Sequence, residues 1–167
     1  MSQSAPRSEN KALLAYLNAQ REHVLGILEG LDDEALRRPI LPSGWSALGL
    51  VQHLALDVER FWFRAIVGGE SVDLTSGGDA WQVGADMPSG AILDLYRQEI
   101  ARANAIIAAR PPGAPPTWWP VGIFGDWQLH TVREIVLHVM TETACHAGHL
   151  DAARELIDGR KWLVLTD

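Results

Sequence analysis

From residue 131 the chain runs Thr131-Val-Arg-Glu134-Ile-Val-Leu-His138-Val-Met-Thr-Glu142-Thr-Ala-Cys145-His146-Ala-Gly-His149-Leu-Asp151. Thr131 stands three residues ahead of Glu134 and an apolar run follows, which is the pattern of a capping box opening a helix. Nothing interrupts the helix until about Ile157, and Gly159 supplies a stop. Within this helix His138, Glu142, His146 and His149 are spaced by four, four and three. They share one face, stacked turn on turn. A bundle would ordinarily place leucine on such a face, so a stripe of imidazole and carboxylate there must be paired or metal-bound.

Outward from this segment, three more stretches read as long helices. The first runs from about Asn10 to Leu31, with Leu13, Leu14, Leu17, Val24, Leu25 and Leu28 forming an apolar stripe. A short helical turn at Asp33 to Arg38 and the proline-bounded loop 39–44 follow. The second long helix spans about Ser46 to Val67, with Ser46 as N-cap and Gly68-Gly69 as stop. The third runs from about Ser89 to Arg110 and ends at Pro111-Pro112. Each has about 20 residues and so spans about 30 Å. Strand-like alternation is nearly absent, so the expected fold is all-α, a four-helix bundle in one domain over 1–167. The loops at about 68–88 and 111–130 exceed tight bundle turns. They carry Trp81, Trp118, Trp119 and Trp127 and are expected to cover one end of the bundle.

Composition excludes several functions. The chain has 167 residues and a formal net charge of -7, without the basic footprint that phosphate neutralisation needs, so nucleic acid is not an expected partner. No apolar run reaches the roughly 18 residues of a membrane span. The polar N-terminus has no signal-peptide apolar region, and a cytoplasmic location is expected. A single cysteine, Cys145, excludes an internal disulfide framework and a multi-cysteine zinc site.

Helix two supplies a third candidate ligand. His53 lies in the otherwise apolar Leu50-Val-Gln-His53-Leu-Ala-Leu56. His53, Glu142 and His146 would make a two-imidazole, one-carboxylate set with an open position, suited to zinc or to iron or nickel. The rival reading is a buried hydrogen-bond network that holds helix register.

Three motifs carry a resemblance: Gly44-Trp-Ser-Ala-Leu-Gly-Leu-Val-Gln-His53-Leu-Ala55, Glu59-Arg-Phe-Trp62-Phe-Arg64, and Glu142-Thr-Ala-Cys-His146-Ala-Gly-His149-Leu-Asp151. Over about residues 8–160 the chain resembles the DinB-like (YfiT-like) metalloenzyme family, and within it the actinobacterial subgroup of mycothiol-dependent S-transferases. The resemblance implies a divalent metal, zinc first, on His53, Glu142 and His146. It further implies a mycothiol-like low-molecular-weight thiol as cosubstrate and an electrophile as second substrate. Many members carry histidine where Glu142 stands; the mycothiol-dependent maleylpyruvate isomerase carries a carboxylate there, but also an additional C-terminal domain, which is not expected here. A homodimer is expected.

The remaining candidates keep two readings each. His149 is a general base or substrate contact near the metal, or a polar group at the bundle end. His138 is a buried neighbour of the ligands or packing. Asp57, four residues after His53, either holds the imidazole N–H or is a solvated charge. Cys145 is expected to pack as a small hydrophobe, about 100° around the helix from His146. Glu59, Arg60 and Arg64 form a solvated face or interhelix pairs, unless one arginine holds a substrate carboxylate. Three functions stay open: a metal-dependent thiol S-transferase, a metal-dependent hydrolase, and a metal-stabilised module without catalysis.

Overall fold

The computed structural model describes residues 4–73 and 79–162. Helix α1 spans Ser4–Leu28, the short α2 Asp33–Arg37, α3 Ala47–His53, α4 Ser89–Ala109 and α5 Val132–Asp158. Helix α3 continues without a break into a wider-wound segment, Leu54–Val67, so four long helical rods form an all-α bundle. Among the described residues there is no strand. The first rod begins earlier than expected and ends at Leu28, where Glu29 N–H donates to Gly26 and Leu31 N–H to Leu28 in a closing turn.

The expected caps are present. Ser46 Oγ accepts from Gly49 N at 3.0 Å and starts α3. Thr131 and Glu134 make both bonds of the capping box, and Gly159 closes α5 at φ 79, a left-handed conformation suited to glycine.

One departure from expectation concerns the second rod, which is not α-helical throughout. Over 54–67 it is π-wound, and Gly68 N closes it by bonding Phe63 O at 2.8 Å. Leu54, Val58, Trp62 and Ile66 form one row, and Ala55, Glu59, Phe63 and Val67 another. At 3.6 residues per turn a strict four-residue repeat drifts about 40° around the axis at each step. Both rows stay buried along the wider-wound segment.

Helix α1 packs on α5 and α4, while the second rod packs on α4 and contacts α5. The core is filled by Leu17, Val24, Ile27, Leu50, Leu54, Phe63, Ile66, Tyr96, Ile107, Ile135 and Leu150. It also holds ion pairs. Arg21 donates through Nε and Nη2 to both oxygens of Glu59, at 2.7 and 2.5 Å, with both side chains 1% exposed. Glu99, also buried, accepts from Arg60 and Arg64. Glu59, Arg60 and Arg64 are therefore interhelix partners rather than a solvated face. Burial raises the Glu59 pKa, against the opposing pull of Arg21.

Both long loops fold back on the second rod. Thr117 and Trp118 donate backbone N–H groups to Ile66 O, and Gln52 Nε2 donates to the carbonyls of Ala80 and Gln82. Residues 74–78 of the first loop lie outside the described residues. Gly49 faces the Trp81 carbonyl so closely that a Cβ there would overlap it, and this lets the loop reach the helix.

Candidate metal centre

The second rod and α5 face each other with His53 on one and the polar stripe on the other. His53, Glu142 and His146 bring one ligand atom each to within 4.8 Å of one another, a set that could hold a metal ion. His53 Nε2 lies 3.8 Å from Glu142 Oε1, and the His53 and His146 rings meet edge-on with centroids 5.2 Å apart. On the opposite side of the imidazole, His53 Nδ1 lies 2.9 Å from Asp57 Oδ2. Asp57 thus takes the orienting role, leaving Nε2 directed at the cluster.

Opposed electrostatic effects separate the two imidazoles. Burial alone would lower the His53 pKa, but the bond to Asp57 and the nearby Glu142 carboxylate outweigh it and raise the pKa to about 9. Burial lowers that of His146 to about 4, assisted by the charge of His53. His146 is therefore neutral near pH 7, as a ligating imidazole must be. Its buried Nδ1 has no hydrogen-bond partner, an uncompensated polar atom of the kind a bound ion or ligand relieves. Two nitrogen donors, one carboxylate and an orienting acceptor fit zinc, nickel or iron.

The cluster opens into a cavity of about 690 Å3. Glu142, His146 and Asp57 share its lining with Phe61, Trp62 and Phe124. Trp62 stacks on Phe124 at 5.5 Å, and Trp127 meets Trp62 edge-on at 6.1 Å. The second long loop thus supplies Phe124 to the wall, while Trp119 and Trp127 pack against it without lining the cavity. Trp118 is 42% exposed and forms no part of that lining. The first loop contributes Trp81, whose ring stacks on His53 at 4.3 Å and 17° and reaches His146 at 5.7 Å. This contact was not legible beforehand, because 28 residues of chain separate the two rings and only tertiary packing joins them.

The other stripe residues divide. His138 lines the cavity, packs against Trp62 at 4.6 Å and lies with Nε2 3.6 Å from Glu142 Oε2. It both packs and neighbours a ligand candidate. His149 is exposed and outside the cavity lining, with its ring 5.6 Å from His146 and 6.2 Å from Trp45. Cys145 departs from expectation. It is exposed, lines the cavity and sits with Sγ 4.0 Å from His149 Nε2, rather than packing as a small hydrophobe. The 100° step from His146 turns it away from that ring to an exposed position on α5.

Among the described residues, no helix is long and apolar enough to cross a membrane. Residues 12–159 match the family model described as mycothiol-S-transferase. No curated protein matches the chain.

Proposed function

Because the chain belongs to the mycothiol-S-transferase family, we propose that it is a divalent-metal-dependent enzyme that joins a low-molecular-weight thiol, mycothiol or a close analogue, to an electrophile. The observation that carries this reading is the convergence of His53, Glu142 and His146 within 4.8 Å at a cavity large enough for a small-molecule substrate. A divalent ion held there, zinc in the first place and nickel or iron as alternatives, would supply the Lewis acidity that lowers the pKa of a thiol.

The protein's own residues do the rest. Asp57 holds the His53 ring so that Nε2 stays aimed at the cluster. Trp81 covers one face of that ring and excludes water from it. The aromatic wall receives the electrophile. Sulfur forms a bond to its carbon, the leaving group departs with the electron pair, and the thiol proton passes to a base. His149, one turn beyond His146, is the residue we assign as that base. A cytoplasmic location, where thiols stay reduced, belongs to the same reading. So does a homodimer.

The test is metal content per chain, by elemental mass spectrometry, paired with a thiol-by-electrophile conjugation screen. The expected result is about one divalent ion per chain, lost in His53→Ala, Glu142→Ala and His146→Ala, with turnover only when thiol is present. Turnover that persists without thiol would instead mark a hydrolase. Wild-type metal stoichiometry in all three variants would remove the site assignment.

A further inference from the structure

The cavity beside the cluster has a chemistry of its own, and we propose that it selects an uncharged, flat aromatic electrophile over an anionic one. This rests on the transferase reading and names its second substrate by class.

Two observations carry it. The first is the wall. Phe61, Trp62 and Phe124 line one side. Phe61 meets Trp62 edge-on at 5.3 Å and Phe124 at 6.1 Å, so the three rings form one continuous surface. Trp119 and Trp127 back Phe124 at 5.7 and 5.4 Å, which fixes that surface from behind. Such a wall rewards a planar ring through offset or edge contacts.

The second observation is charge. Asp57 and Glu142 bring carboxylates to the lining, against the guanidinium of Arg60. Arg60 is already engaged. Its Nε and Nη2 both donate to Glu99 Oε1, at 3.0 and 2.9 Å, and Glu99 is 2% exposed. Pulling Arg60 onto a substrate carboxylate would weaken the compensation of a buried charge. Among the described lining residues there is no other lysine or arginine to hold an anion. A bound divalent ion would be offset by Asp57 and Glu142, and a thiol in its ionised form adds a further negative charge. The polar side of the cavity thus repels an anionic electrophile, while the aromatic side attracts a neutral ring.

The test is binding without reaction, on the metal-loaded full chain in excess 2-mercaptoethanol as the thiol probe. The probes are 2-naphthylmethanol and naphthalene-2-sulfonate, which share the ring system, differ in charge and coordinate metals weakly. Titration calorimetry should give one naphthylmethanol site, at least about tenfold tighter than the sulfonate, since Arg60 is committed to Glu99 and the charge of the ion is offset by Asp57, Glu142 and the thiolate. Phe124→Ala, a loop substitution outside the bundle core, should weaken naphthylmethanol about two- to tenfold, the range expected for a lost aromatic contact. Equal or tighter sulfonate binding, or unchanged affinity in Phe124→Ala, overturns the proposal. An absence of conjugation with every thiol tried, alongside the expected binding pattern, would sink the transferase reading and leave the aromatic site standing.

Discussion

Loading the His53–Glu142–His146 cluster with a divalent ion should release close to one proton per site at neutral pH. The magnitude follows from the two imidazoles. A histidine ligates only when neutral. His146, at about 4, has already lost its proton at pH 7. His53, at about 9, keeps its proton because Asp57 and Glu142 face it. Two pH units below its pKa the protonated form outnumbers the neutral form by about 100 to 1. A metal must therefore expel that proton, and its apparent affinity at pH 7 should be about 100-fold below the value above pH 9. Between about pH 6 and 8 the affinity should climb about tenfold per unit. Chelator competition measures the slope. Calorimetry in buffers of differing ionisation enthalpy counts the proton directly. Asp57→Asn removes the charge that supports the imidazolium, so less proton should be released at pH 7 and the profile should flatten. Metal binding with no proton released at pH 7, and a flat profile from about 6 to 8, would falsify the assignment of His53 as a ligand. The metal-free protein should show the complementary trend. The raised His53 pKa contributes stability in full below about pH 6.5 and loses it as pH rises through about 9. Its Tm should fall across that window, and less so in Asp57→Asn.

Gly49→Ala introduces a Cβ that overlaps the Trp81 carbonyl, so the loop must move away from His53. Overpacking of this kind costs about 1–3 kcal/mol, and metal affinity should fall with it, as thermal melts and chelator competition would show. Thr131→Ala removes the cap of α5 at a cost of about 1 kcal/mol, or about 2–4 °C in Tm, while metal content stays at wild-type level; a drop in metal would mean that the cap also positions the cluster. His149→Ala should retain the metal and lose conjugation turnover, whereas an unchanged rate would remove it from catalysis. Cys145→Ala should leave both metal content and turnover intact, and a folded but inactive variant would give the exposed thiol a chemical role.

Much of the fold was legible because its signals are local. The capping box at Thr131–Glu134, the Ser46 cap, the Gly68 and Gly159 stops and the Pro111-Pro112 break each act within one helical turn, and the helix bounds follow them closely. The spacing of Glu142 and His146 is likewise fixed by helix geometry, and Asp57 one turn after His53 holds that ring. The π winding of 54–67 is not legible in the sequence, because its apolar rows also fit the broad apolar face of an ordinary helix. Cys145 was misplaced because helix spacing gives an angle around the axis but not what lies outside it.

The amino-acid sequence by itself determined where the second, third and fourth long helices begin and end, which residues share a face, and that a histidine–carboxylate stripe in a bundle demands a partner. All of these depend on bonds and spacings within a few residues. Only the tertiary structure decided that His53 meets that stripe across the bundle, that Trp81 closes over it, and that Arg60 is committed to Glu99. Those contacts join segments tens of residues apart. They are set by how whole rods and loops pack together, a balance of burial, charge and shape that no local pattern records.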